Sequence, residues 1–185
     1  MTTSFDKIRN VAIVAHVDHG KTTMVDGLLK QSNTFRHNQA EMAQHLIMDS
    51  GDQESERGIT ITAKLTAVDY HDYKINIIDT PGADDFVGAV LTALRVSATA
   101  LMVVNAQHGV EVGTEILARW VEQMHKPMII ALNQLDHEKA NYEHAMESLV
   151  QSFGNKVVAV QYPVKVGAGF DSFIDVLLMK MYKFT

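Results

Sequence analysis

Cysteine is absent from the 185 residues, which rules out a disulfide framework and a thiolate metal site and matches a reducing compartment. There is no basic excess either: 16 lysines and arginines stand against 22 aspartates and glutamates, a formal charge of -6. That balance argues against a domain that holds nucleic acid through its overall field, while a local basic patch on a larger assembly stays open. No apolar run reaches bilayer-spanning length, and the opening MTTSFDKIRN lacks the apolar segment of a secretion signal. Internal repeats and low-complexity segments are also missing. What remains is 46% hydrophobic and 21% charged, an ordinary globular composition at a length that fills one domain. The expectation is a soluble cytoplasmic protein with no membrane contact.

Short β-branched runs alternate with helical patterns. IRNVAIVA precedes TTMVDGLLKQ, and later come the runs KINIID, ATALMVVN, PMIIAL and VVAVQY. Between them, DDFVGAVLTALRVS, VGTEILARWVEQM and ANYEHAMESLVQSF carry apolar residues near i, i+3, i+4 and i+7. This order predicts an α/β fold whose mostly parallel central sheet has helices on both faces. Such sheets bind ligands beyond the carboxyl ends of their strands, so the residues after each run are where chemistry is sought. The long connection from Ser32 to Ile59 is polar and irregular, with a short helix expected from Glu41 to Met48.

After the first run, AHVDHGKTT matches G-x-x-x-x-G-K-[ST] except at its first position. Ala15, His16, Val17, Asp18, His19, Gly20, Lys21, Thr22 and Thr23 thus form a candidate phosphate cradle. Successive backbone N–H groups wrap a polyphosphate at the positive end of a helix dipole. Gly20 permits close approach, Lys21 reaches the terminal phosphates, and the Thr22 hydroxyl is a ligand for Mg²⁺. Ala15 is compatible with the motif if its φ stays negative. The plainer alternative is a helix start capped by Thr22 or Thr23.

Asp79, Thr80, Pro81 and Gly82 close the run KINIID. A carboxylate at Asp79 suits Mg²⁺ held through a water, with the Gly82 N–H facing a γ-phosphate. In isolation such a D-x-x-G string reads as a turn; its distance from the cradle and its place at a strand end make it a second phosphate-directed element. Thr60, in RGITIT, is a candidate to complete the Mg²⁺ shell when a γ-phosphate draws the long loop inward. Taken singly it is only a threonine before a strand. Asn133, Gln134, Leu135 and Asp136 follow the run PMIIAL. The Asp136 carboxylate accepts from N1–H and the exocyclic amino group of guanine, an edge that adenine lacks. The competing reading is an asparagine turn and an acidic helix cap.

With AHVDHGKTT, RGITIT, DTPGADDF and NQLD in this order, the chain resembles the GTP-binding domain of the translational GTPases, most of all elongation factor G. The likeness runs from about Ile8 to the end and includes MDSGDQESERGIT and FIDVLLMKMY. It implies a P-loop NTPase G domain that binds GTP or GDP with Mg²⁺, as a monomer, and serves the ribosome in translocation. It also implies that residues 1–185 are the N-terminal part of a longer multidomain factor, with about 163–185 starting the insertion that the family carries within its G domain.

Three departures from the family bear on function. The family places a water-orienting histidine after D-T-P-G, where this chain has Ala83; it uses N-K-x-D, where this chain has Gln134. A final S-A-[LK] motif is not evident, and VGAGF, Val166 to Phe170, is weighed as its imitation although family order puts that motif after the insertion. Lys21, Thr60 and Gly82 are the candidate catalytic groups, and Ala83 predicts GTP binding with slow turnover, because losing a positioning group costs ~10²–10⁴ in rate. Gln134 predicts weaker binding with unchanged base identity. His16, His19 and His108 are read as loop or surface histidines rather than substitutes for the missing one. The alternatives are an ordinary hydrolytic translational GTPase of another subfamily and, disfavoured by Asp136, a P-loop ATPase or kinase.

Overall fold

The computed structural model describes residues 4–32, 63–82 and 87–184. Thr60, Ala83 and the helix expected from Glu41 to Met48 lie outside the described residues. Eight strands and four α-helices follow one another: β1 (Ile8–Ala15), α1 (Lys21–Gln31), β2 (Lys64–Tyr70), β3 (Tyr73–Asp79), α2 (Val87–Val96), β4 (Thr99–Asn105), α3 (Val112–Gln123), β5 (Met128–Asn133), α4 (Tyr142–Phe153), β6 (Gln161–Pro163), β7 (Ser172–Asp175) and β8 (Lys180–Lys183), counted among the described residues.

The central sheet has the order β2-β3-β1-β4-β5. β1 pairs in parallel with β3 and β4, β4 in parallel with β5, and only β2 runs antiparallel, against β3. The chain thus leaves β1 toward one side of the sheet and later returns to the other, which makes the carboxyl end of β1 a topological switch point. β1 is buried on both faces, so its run is apolar without alternation. Ala12 and Val14 pack with Val90 and Leu94 of α2, Leu117 and Val121 of α3, and Leu149 of α4. Ile13 and Ala15 turn the other way, onto Val25 and Leu29 of α1. Each of the larger side chains in these clusters contributes roughly 1.5–3 kcal/mol by leaving water.

Helix boundaries follow local chemistry. Asn141 caps α4 by accepting from the His144 N–H at 3.0 Å, and Gly154, at φ +68°, ends it. Trp120 packs against the α2–α4 side of the core, and Glu115 and Arg119 lie exposed on α3. One strand assignment requires correction. VVAVQY does not join the central sheet: residues 157–160 carry no strand, and Gln161–Pro163 pairs antiparallel with β7 in a separate sheet of order β6-β7-β8. Alternation alone does not say which edge a strand meets, and here Tyr162 aligns with Ile174 while Val158 stays 75% exposed.

Candidate functional site

Three loops leave the carboxyl ends of β1, β3 and β5 and meet at the switch point. Ala15 ends β1 and is absent from the positive-φ residues, so the missing first glycine costs the backbone nothing. Asp18 and Gly20 adopt left-handed φ of 64° and 79°, and Gly20 is the N-cap of α1. His16 and Val17 are half-buried, Asp18 exposed, Lys21 buried, Thr22 half-buried and Thr23 exposed. A Cβ on Gly20 would sit 2.5 Å from Asn133 Nδ2, so glycine is required both by conformation and by contact.

The β3 loop is bound to β1 through Thr80, whose hydroxyl donates to the Ile13 carbonyl at 2.7 Å. Pro81 is buried, and a Cβ on Gly82 would approach the Ala15 carbonyl to 3.1 Å, so the β3 loop lies directly on the β1 loop. Asp79 is fully buried and pairs with Lys21, Nζ to Oδ1 2.5 Å, side chains 0% and 7% exposed. A buried carboxylate beside the cradle and the Thr22 hydroxyl on the first turn of α1 form an oxygen donor set that suits a hard divalent cation. Among the described residues no three histidine, aspartate or glutamate side chains gather as a metal cage.

The β5 loop closes on the cradle from the other side. Asn133 Nδ2 donates to the His19 carbonyl at 2.9 Å, and Gln134 Nε2 to the Asp18 carbonyl at 3.2 Å. Leu135 is half-buried and Asp136 exposed, its carboxylate open to a base. The VGAGF stretch comes to this loop: Gly167 N–H donates to the Leu135 carbonyl at 2.7 Å.

His19 lies in the loop between β1 and α1, as expected of a loop histidine, but it is 1% exposed rather than at the surface. The left-handed turn at Asp18 sends its ring inward, where Nδ1 lies 3.1 Å from the Val103 carbonyl and Nε2 2.7 Å from Glu111 Oε2. A neutral ring can donate to one of these oxygens, a doubly protonated ring to both. The His19 hydrogen bond holds the Glu111 carboxyl below the usual carboxylate range, against a smaller opposing effect of burial. His16 is half-buried with its ring against Gly113 on the first turn of α3, edge-on to His19 at 5.5 Å, and His108 is exposed. Sequence reasoning missed Asn105, Gln107 and Glu111, which all lie at or just past the end of β4. Their signal was positional: ATALMVVN is a parallel-strand run whose carboxyl end was left without a role.

A family model, the elongation factor Tu GTP binding domain, matches residues 6–183. The chain belongs to that family. It is a GTP-binding domain of the translation-factor type. It is 37% identical over 183 residues to elongation factor G of Mycoplasma genitalium, a match that covers 99% of this chain and 27% of that protein. It is 43% identical over 150 residues to the large ribosomal subunit assembly factor BipA of Escherichia coli strain K12, 81% of this chain and 24% of the relative. A putative chloroplastic TypA-like elongation factor of Arabidopsis thaliana is 43% identical over 148 residues, 80% of this chain and 22% of the relative. A crystal structure of a Thermus thermophilus protein matches with a TM-score of 0.86 at 27% identity, over 97% of this chain and 27% of that one. The chain thus spans about a quarter of the length of the curated relatives it matches. Among the described residues no helix is long and apolar enough to cross a membrane.

Proposed function

We propose that the domain binds GTP and GDP with Mg²⁺ and serves an elongation factor G-like protein that engages the ribosome in translocation, with slow hydrolysis. The observation that carries this reading is the meeting of three strand-end loops, in which Asn133 and Gln134 hold the carbonyls of His19 and Asp18. Phosphate and base loops are thereby one unit.

In this reading the amides of His16 to Lys21 wrap the phosphates, and Lys21 exchanges Asp79 for phosphate oxygens. Thr22, Asp79 through a water and, with the long loop drawn in, Thr60 would hold Mg²⁺, which neutralises phosphate charge when bound. Thr60 and Gly82 report the γ-phosphate, and Asp136 selects guanine. The methyl group of Ala83 cannot orient water, so binding energy rather than hydrolysis drives the work. The reading extends to a cytoplasmic monomer, and to residues 163–185 as the start of an insertion within the G domain; the separate β6-β7-β8 sheet supports the latter.

Calorimetry with GTP, GDP and ATP in magnesium tests the binding half: guanine nucleotides bind and ATP does not, and silence toward guanine nucleotides defeats the reading. Phosphate release in a single turnover, with and without ribosomes, tests the other half. Ala83→His is expected to raise the rate by ~10²–10⁴. A wild-type rate equal to that of the variant overturns slow hydrolysis. A second reading, a hydrolytic GTPase of the BipA kind, draws on the 43% identity to that protein, but its match covers 81% of the chain against 99% for elongation factor G.

A further inference from the structure

Gln134 stands where the resembled family has lysine, yet its side chain is held from three directions. Oε1 accepts from Asn105 Nδ2 at 3.0 Å and from Gln107 Nε2 at 2.8 Å, while Nε2 donates to the Asp18 carbonyl at 3.2 Å. Backbone groups fix the orientation of the amides at both ends. The Asp18 carbonyl only accepts, so Gln134 must present its nitrogen there and its oxygen to Asn105 and Gln107. The Gln107 N–H only donates, and it reaches Asn105 Oδ1 at 2.8 Å, so Asn105 must present its own nitrogen to Gln134. Asn105 ends β4, is 4% exposed, and lies opposite Asn133 in the β4–β5 register.

The backbone at Gln134 is itself in the left-handed region, φ 59°, which a side chain other than glycine tolerates only when its surroundings hold it. Lysine at this position would set an ammonium group against the fixed Asn105 N–H donor, although the Gln107 amide could turn its oxygen toward it. Glutamine is therefore not simply a lost cation; it is the acceptor that the Asn105 amide requires.

We propose that Asn105 and Gln107 are positioning residues for the base-reading loop, acting through Gln134 to lock the turn that carries Asp136 onto the phosphate cradle. The inference rests on the guanine-nucleotide reading above. Base recognition and phosphate grip then loosen together when the amide set is broken, even though neither Asn105 nor Gln107 belongs to a nucleotide-directed motif.

The test follows dissociation of fluorescently labelled GDP from the 185-residue chain and its variants. Asn105→Asp keeps the acceptor for the Gln107 N–H, removes the donor to Gln134 and sets a carboxylate against the Gln134 amide oxygen. It should weaken GDP binding about 5- to 10-fold in the native background and strengthen it in a Gln134→Lys background, where the carboxylate meets a cation. Gln107→Leu, at a half-buried site, provides a variant without a new charge: it should weaken binding alone and add nothing to Gln134→Leu. An effect of Asn105→Asp with the same sign in both backgrounds, or full additivity of Gln107→Leu with Gln134→Leu, overturns the proposal. Failure of the wild-type chain to bind GDP removes the nucleotide reading and this inference with it; tight wild-type binding with additive variants removes this inference alone.

Discussion

Lys21→Met deletes the cation from a pair whose partner, Asp79, is 0% exposed and 2.5 Å away. The carboxylate is then buried beside a thioether, and removing one member of such a pair costs ~3–5 kcal/mol. For a chain of this length each kilocalorie moves the melting temperature by roughly 2–4 °C, so a fall of about 6–20 °C is expected. Asp79→Asn removes the carboxylate that faces the ammonium and should cost a similar amount. The double variant removes both charges and should return to within about 2 kcal/mol of wild type, since replacing a whole buried pair by neutral groups is often nearly neutral. Equilibrium unfolding in urea, without nucleotide or magnesium, measures all four proteins. The double variant should stay folded yet fail to bind GDP, which separates the stability role of the pair from its phosphate-directed role. Losses that simply add, to about 6–10 kcal/mol in the double variant, would refute the pairing argument.

Gly20→Ala combines a left-handed backbone with a Cβ placed 2.5 Å from Asn133 Nδ2, and should cost about 2–3 kcal/mol while weakening GDP binding, measurable by urea unfolding and calorimetry. Glu111 has its carboxyl held down by His19, so its contribution is present above the ordinary carboxylate range and lost as pH falls through the lowered folded value. The unfolding free energy of wild type in urea titrations should exceed that of Glu111→Gln near neutrality, by no more than about 1 kcal/mol for a side chain 36% exposed, and the gap should close on acidification. Asn141→Ala removes the α4 cap and should cost ~1 kcal/mol in the same unfolding assay, with nucleotide binding unchanged.

Much of the architecture was legible before any coordinates because its signals are local. Helices α1 to α4 carry the helical period and strands β1, β3, β4 and β5 are short apolar, β-branched runs, and the succession of the two entails a parallel sheet with helices on both faces. The places of the motif loops were legible for the same reason: Lys21 to Thr23, Asp79 to Gly82 and Asn133 to Asp136 each follow an apolar run, and the structure brings these loops together at the strand ends. VVAVQY shows where this stops, since a short apolar run suits any sheet edge equally well. His19 shows it again. Nothing in its neighbours in the chain announces a ring buried against the Val103 carbonyl, 84 residues away.

From its own order of residues, then, the chain determined the class of fold and the positions of its candidate phosphate and base loops at strand ends, because hydrophobic pattern and motif spacing act over a few residues. Only tertiary structure decided that Lys21 rests on Asp79, that Glu111 engages His19, and that Asn105 and Gln107 reach Gln134. Those contacts depend on which strands lie side by side and in what register. With β4 between β1 and β5, and Asn105 opposite Asn133, three loops distant in sequence come within hydrogen-bonding reach.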